Sequence, residues 1–405
     1  MPRLFASGRD TRVNLLLGYG HFLSHFYQLC LPPLFIAWQQ TFGVSFAKLG
    51  LVIAAMSATA GLMQTPMGFL VDRYGARPFL VAGTLLMTLS MAAVGFATAY
   101  WQVVVLALLS GVGNSVFHPA DYAILSGSID ATRLGRSFAF HTFTGNIGFA
   151  AAPPATAALM LVLGWRGALI FIGLLGLPVT AMIVWQSRIL IDQAHRPQSR
   201  APRDQRGAEL LLSRSVLMFF AFFMISSMAG AGIQSWLITI LHQVHGVTLA
   251  AASSALTGYM VGQIGGVLVG GWVADRTDRH LPFVVILTIG AAALLLFIGL
   301  VSLAELPTIG ILFVAGIMTG ASRTPRDVMV KDAAPPGQIG KVFGFVSSGM
   351  SLGGAIMPAP FGMIIDAGRP DLVLVVVAAL LLLSLLCAGG ARVGFGRTPV
   401  PAAAD

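Results

Sequence analysis

Apolar stretches of about 20 residues or more recur through this chain between short polar connections, each long enough to cross a hydrocarbon core at about 1.5 Å per residue. Inside such a core the backbone must satisfy its own hydrogen bonds, so each stretch is expected to be helical. Only 10% of the 405 residues are charged and 56% are hydrophobic, whereas a soluble domain carries roughly a quarter charged residues. Such a chain cannot cover its surface with polar groups, and lipid is its solvent.

The pattern predicts an all-α membrane protein of twelve transmembrane helices in two pseudo-symmetric six-helix bundles. The first six span Val13–Trp38, Ala47–Val71, Pro78–Ala97, Tyr100–Ser126, Ser137–Leu163 and Trp165–Ser187. The second six span Val216–His242, Leu249–Ala274, Pro282–Ala304, Pro307–Val330, Val342–Ile365 and Leu372–Val393. The first stretch is bulky throughout and lacks a following small-residue cleavage site, so it is expected to be retained as a helix.

A net charge of +9 does not indicate nucleic acid, because the basic residues lie between apolar blocks rather than on one face. Arg3, Arg9, Arg12, Arg73, Arg77, Arg133, Arg136, the run from Arg188 to Arg214, Arg276, Arg279, Lys331, Lys341, Arg392 and Arg397 fall on alternate connections. Lys48, Arg166 and Arg369 fall on the others. The positive-inside rule then puts both termini and the long middle loop in the cytoplasm, in a bacterial-type inner membrane. Cys30 and Cys387 lie inside apolar blocks and read as small hydrophobes rather than disulfide or metal ligands.

Residues 188–213, rich in Arg, Gln and Pro, read as a linker between an N-terminal bundle, 1–187, and a C-terminal bundle, 214–405. Internal repetition supports the division. GFLVDRYGAR from Gly68 recurs as GWVADRTDRH from Gly271, and GRSFAFHTFTGNIGFAAAP from Gly135 recurs as GKVFGFVSSGMSLGGAIMP from Gly340. A duplicated unit implies a solute site between the halves near the membrane midplane.

The segment GFLVDRYGARPFL after the second helix resembles the signature loop of the major facilitator superfamily, with Ala76 where an Arg is usual. Its gating set is Gly68, Asp72, Arg73, Gly75 and Arg77, with Arg133 and Arg136 as candidate partners of Asp72. In the second copy Asp275 and Arg276 stand with Lys331 and Lys341 as candidate cations. Pairs of this kind would hold one side closed in one conformation and break in the other. GVGNSVFHPADYAILS in the fourth helix and Leu23–Ser24–His25 in the first are similar to the fosmidomycin-resistance branch. This chain has Leu29 and Ala120 where that branch carries acids, and Asp121 is the nearest substitute.

Candidate coupling and solute residues are the buried polar groups. His118 and Asp121 share a face of the fourth helix, near Asn114. Charge in a span is costly toward lipid, so they should face a cavity or each other. A carboxylate beside an imidazole either carries protons or ties helices together. Arg323 and Asp327, four apart, are expected to neutralise one another. Arg326 is then left either to bind a carboxylate or phosphonate or to snorkel toward the surface. His21, His25 and Gln28 form one stripe of the first helix, and His141 and Asn146 lie in the fifth. Spacing offers those histidines no third ligand, so no metal site is expected.

No phosphate-cradling loop and no nucleophile with a flanking base is present, so neither ATP-driven transport nor an enzyme is expected, and no cofactor. The residues imply proton-coupled movement of a small organic solute, anionic or drug-like, by a monomer in the bilayer. The fosmidomycin-resistance resemblance implies efflux by antiport. Uptake of an organic acid by proton symport and a non-transporting receptor with the same fold are the alternatives.

Overall fold

The computed structural model describes residues 8–130, 132–192, 210–277, 279–334 and 339–392. Residues 193–209 of the predicted linker, the predicted end of the twelfth helix at Val393 and the side chain of Lys341 lie outside that description. No β-strand occurs among the described residues. The first part of the chain forms α1 (Gly8–Leu29), α2 (Phe35–Phe42), α3 (Phe46–Tyr74), α4 (Ala76–Val94), α5 (Tyr100–Asn114), α6 (Phe117–Ser128), α7 (Leu134–Leu174) and α8 (Gly176–Trp185). The second part forms α9 (Arg214–His245), α10 (Leu249–Ala274), α11 (His280–Leu300), α12 (Glu305–Ala321), α13 (Arg323–Ala333), α14 (Ile339–Ile356), α15 (Pro358–Asp366) and α16 (Asp371–Arg392).

Among the described residues, ten segments are long and apolar enough to cross a membrane. One of them, Leu134–Trp185, is 52 residues long, and within it Gly164 leaves helical geometry at φ 63°, ψ 173°. The expected boundary between the fifth and sixth helices falls at that glycine. The first helix departs from expectation. It was predicted unbroken from Val13 to Trp38, yet α1 stops at Leu29 and a 3-10 turn over Pro32–Leu34 precedes α2. Two consecutive prolines remove two amide donors, which ends the α-helical ladder. The helix is already formed at Gly8, ahead of the expected Val13, and Asp10 within it is buried and pairs with Arg133 at 3.0 Å.

Proline divides three further spans. Pro119, Pro325 and Pro358 stand just after the breaks between α5 and α6, α12 and α13, and α14 and α15. A proline ring clashes with the carbonyl four residues earlier, so each break lies within a turn of the ring that causes it.

Glycine sets how closely the helices meet. A methyl at Gly148 would lie 2.3 Å from the Phe22 carbonyl oxygen, and one at Gly353 would lie 2.2 Å from that of Met224. Gly111 and Gly316 likewise stand against the carbonyls of Met56 and Tyr259, at 2.5 and 2.1 Å. Gly148 and Gly353 are matched positions of the internal repeat, so the repeated sequence carries the same backbone contact in both parts of the chain. The tightest seam is between α10 and α12. There Gly262, Gly266 and Gly270 face the carbonyls of Phe313, Ile317 and Ala321, each at 2.2 Å from the would-be methyl. Small residues four apart are what lets two helices approach this closely in lipid.

The two parts of the chain meet along α3, α14 and α15, and along α7 and α10. A methyl at Gly50 would lie 2.4 Å from the Pro358 carbonyl oxygen, and one at Gly362 2.5 Å from that of Phe46. Trp236 Nε1 donates to Pro358 O at 2.9 Å, and Phe35 and Phe46 pack on the Trp236 ring. The Asp366 carboxylate receives the amides of Phe46 and Ala47 at 2.7 and 2.8 Å. These are two of the donors that the start of α3 would otherwise leave without a partner. Asp366→Ala should cost about 1 kcal/mol, the usual worth of a helix cap. The end of the molecule that carries Ser45 should open several-fold more often. Labelling of a Ser45→Cys probe by a bulky thiol reagent reads this, and an unchanged labelling rate would show that the cap does not hold the seam.

Candidate functional site

A cavity of about 710 Å³ lies between the two parts of the chain. One wall carries His25 and Gln28 from α1, Asn114 from the end of α5, His118 from α6 and Asn146 from α7. The other wall carries Gln234 from α9, Gln263 from α10, and Arg323, Arg326 and Asp327 from the first turn and a half of α13. Of the residues singled out in the sequence, His21, Asp121 and His141 do not line it. They sit one layer back and are 3%, 0% and 2% exposed.

Behind the first wall the buried groups form one connected cluster. His141 Nε2 is 2.8 Å from Asp121 Oδ2. The His141 carbonyl oxygen is 2.8 Å from His21 Nδ1, and His25 Nε2 is 3.0 Å from His21 Nε2. The His21 and His141 rings stack with centroids 3.6 Å apart, and His118 meets His21 edge-on at 5.3 Å. Asp121 therefore does not pair with His118, its neighbour on the helix. α7 brings His141 directly over the carboxylate, whereas the His118 ring points into the cavity.

The second wall also corrects the sequence expectation. Arg323 does not neutralise Asp327. Its Nη2 donates to Gln263 Oε1 at 3.1 Å, and Gln263 in turn donates to Thr319. Asp327 is taken by Arg326, whose Nε lies 3.3 Å from Oδ1, so Arg326 is not left without a local partner. Its guanidinium also lies 4.0 Å from the centre of the Phe223 ring. An aromatic face holds a guanidinium flat against the wall, which competes with snorkelling toward a surface. With the histidines neutral, the charged lining residues are two arginines and one carboxylate, a net positive charge in a site of low dielectric.

Sequence reasoning missed Ser226, Ser227, Tyr259 and Thr319 in the lining, and Phe223 beneath Arg326. Hydroxyl groups are common in helices for local reasons, and an aromatic ring in an apolar block carries no mark of what lies over it.

At the end that carries Asp72, the expected pairings are replaced by others. Arg133 pairs with Asp10 rather than Asp72. Asp72, Arg73 and Arg136 are exposed, and Asp72 forms no ion pair among the described residues. The same holds for Asp275, while Arg276 lies over the Trp272 ring at 4.1 Å. Gly68 faces Pro119 across a gap that leaves room for a methyl. Gly75, at φ 90°, turns the chain between α3 and α4, and the start of α4 is capped by the Asp192 carboxylate, which accepts from Ala76 N at 2.7 Å. Arg77 Nε donates to the Leu190 carbonyl. The signature loop is thus fastened to the segment after α8. In the adjacent loop the hydroxyl and amide of Thr132 donate to Asp130 and hold its carboxyl below the usual range.

The sequence matches the family model described as Major Facilitator Superfamily over residues 17–255 and again over 237–403. It is 25% identical to the fosmidomycin resistance protein of Escherichia coli over 378 residues, covering 91% of this chain and 90% of that protein. It is 26% identical to the membrane sensor protein UhpC of Escherichia coli over 356 residues, 80% of this chain and 78% of the sensor. A shorter match, 30% identical over 168 residues, covers 42% of this chain and 37% of a probable L-galactonate transporter of Escherichia coli. Among solved structures, a bacterial homolog of the human lysosomal transporter Spinster, inward-facing and occupied, superposes with a TM-score of 0.76. That likeness covers 96% of this chain and 97% of that one at 16% identity, and it is a likeness of fold alone.

Proposed function

The chain belongs to the Major Facilitator Superfamily, and on that premise we propose that it is a proton-coupled secondary transporter that exports a small anionic organic solute in exchange for protons. It is a multi-pass membrane protein. In this reading twelve spans form two six-helix halves, residues 1–187 and 214–405, joined by 188–213, with both termini cytoplasmic and the two halves rocking about the cavity. The backbone contacts repeated at Gly148 and Gly353 support the two-half arrangement.

The observation that carries the proposal is the pairing of unlike walls. Arg323 and Arg326 face the cavity from one side, while His25 and His118 face it from the other in front of the buried His141–Asp121 pair. Guanidinium groups suit a carboxylate or phosphonate. A buried carboxylate–imidazole pair next to the cavity suits a proton that moves when the solute does. The seam from Gly50 to Asp366 closes one end, and Asp72 and Asp275 at the other, without an ion pair among the described residues, match a gate in its open state. A single copy suffices for this cycle.

Direction rests on similarity to the fosmidomycin resistance protein; similarity to a probable L-galactonate transporter supports proton-symport uptake of an organic acid as the alternative. A sensor reading has one observation in its favour, the likeness to UhpC over 80% of the chain.

Counterflow in proteoliposomes, with and without a pH gradient, across a panel of anionic and cationic compounds tests all three. Export or uptake of anions that follows the gradient is expected. Arg326→Ala and His118→Ala should each lower flux roughly tenfold or more, the scale of a lost charged hydrogen bond. Flux indifferent to both variants would remove the cavity assignment. A ligand that raises thermal stability without any exchange would favour the sensor.

A further inference from the structure

His21, His25 and His118 each offer one ring nitrogen, and these atoms lie within 4.8 Å of one another. Two come from one helix at a spacing of four, and the third comes from α6, which packs beside α1. The protonation of the first is legible from its partner. A carbonyl oxygen only accepts, so His21 Nδ1 must carry the hydrogen it gives to His141 O at 2.8 Å. His21 Nε2 is then a lone pair that accepts from His25 Nε2 3.0 Å away, and a cation held between the two rings would take the place of that hydrogen. The Nδ1 atoms of His25 and His118 are buried without a hydrogen-bond partner.

We propose that His21, His25 and His118 bind one divalent cation of the zinc class, with its remaining coordination position open to the cavity. Imidazole nitrogen selects Zn²⁺, Co²⁺ or Ni²⁺ over Mg²⁺ and Ca²⁺, which take oxygen. Nitrogens about 2.0–2.1 Å from a tetrahedral metal lie about 3.3 Å from each other. The 3.0 Å pair is already near that spacing, and the separations up to 4.8 Å close by small rotations of His25 and His118, which border open space in the cavity.

Two features outside the trio fit the same use. The His141 carbonyl fixes the orientation of His21, the role that outer partners play for metal-bound histidine. His141 itself rests on Asp121, a buried carboxylate one residue behind the ligands that would offset the charge of the cation. Gly145 makes the space: a methyl there would lie 2.6 and 2.8 Å from His21 ring atoms and 3.2 Å from His25 Cδ2. The metal site goes beyond the transport reading and stands or falls without it.

The test uses the full-length chain, purified in detergent, stripped with a chelator and titrated with Co²⁺ while visible absorption is followed. One equivalent with the intense bands of a tetrahedral ion is expected. His25→Ala, His118→Ala and Gly145→Ala should each weaken binding at least tenfold, and Zn²⁺ should displace Co²⁺ from the unaltered chain. A variant that misfolds does not end the test. In the unaltered protein, Zn²⁺ should shield His25 and His118 from diethyl pyrocarbonate, read by mass spectrometry. Only weak, octahedral Co²⁺ spectra, equal binding in all variants, or unshielded histidines would overturn the proposal.

Discussion

Asp121→Asn is expected to abolish gradient-driven flux, by on the order of a hundredfold or more, the scale on which removal of a positioned proton-transfer group acts, while the protein still reaches the membrane. The substitution keeps the shape and an oxygen that can accept from His141, whose Nε2 lies 2.8 Å from the present carboxylate. What it removes is the only acidic group of the cluster formed with His21, His25, His118 and His141. A carboxylate at 0% exposure is costly to keep unless the charge is used. Two readouts separate the uses. Flux under a pH gradient should vanish, whereas exchange of solute at zero gradient should persist if Asp121 carries the proton. If a packing role is all it has, Asp121→Asn will transport like the unaltered chain, and the coupling assignment is wrong.

Gly266→Leu should be the most destabilising single change in the second part of the chain. The first side-chain carbon would lie 2.2 Å from the Ile317 carbonyl oxygen and 2.7 Å from the Ala321 nitrogen. Both are backbone atoms of the partner segment, so neither can swing aside. α10 and α12 would have to part by more than an ångström, which also loosens Gly262 and Gly270 in the same seam. The cost is expected at the high end of overpacking, about 3 kcal/mol. Gly265→Leu is the matched control, since nothing lies within 4 Å of a methyl placed there. Thermal unfolding in detergent, or the monodisperse fraction after extraction, should fall sharply for the first and hardly at all for the second. Equal behaviour of the two would mean that the helices can separate without loss.

The loop at Gly68, the Phe-His-Pro run at Phe117 and the repeated glycine pattern were all readable before any coordinates, and so were His25, Gln28, Asn114, His118, Asn146, Arg323, Arg326 and Asp327 among the residues at the cavity. The pattern gives twelve spans, and ten segments among the described residues are long and apolar enough to cross a membrane. Three spans that the sequence suggests are unbroken divide instead within a turn of Pro119, Pro325 and Pro358. What sequence spacing misjudged was which charge meets which. Asp327 was matched with Arg323 by the rule of four, yet Arg323 has a better reach across to Gln263. Arg133 was matched with Asp72 because both sit on loops of one side, yet the first turn of α1 places Asp10 nearer. The capping acids Asp192 and Asp366 went unread, since each serves a helix far from it in the chain.

The linear order of residues was enough to determine the solvent of this protein, its all-helical class and its family, because each depends on local composition or on short runs of residues. Only the tertiary structure decided that three histidines from two helices converge, and that Asp121 faces His141. A membrane helix is apolar on nearly every face, toward lipid and toward its neighbours alike, so periodicity does not say how it is rotated. Glycine contacts set that rotation, and they exist only once the helices are packed.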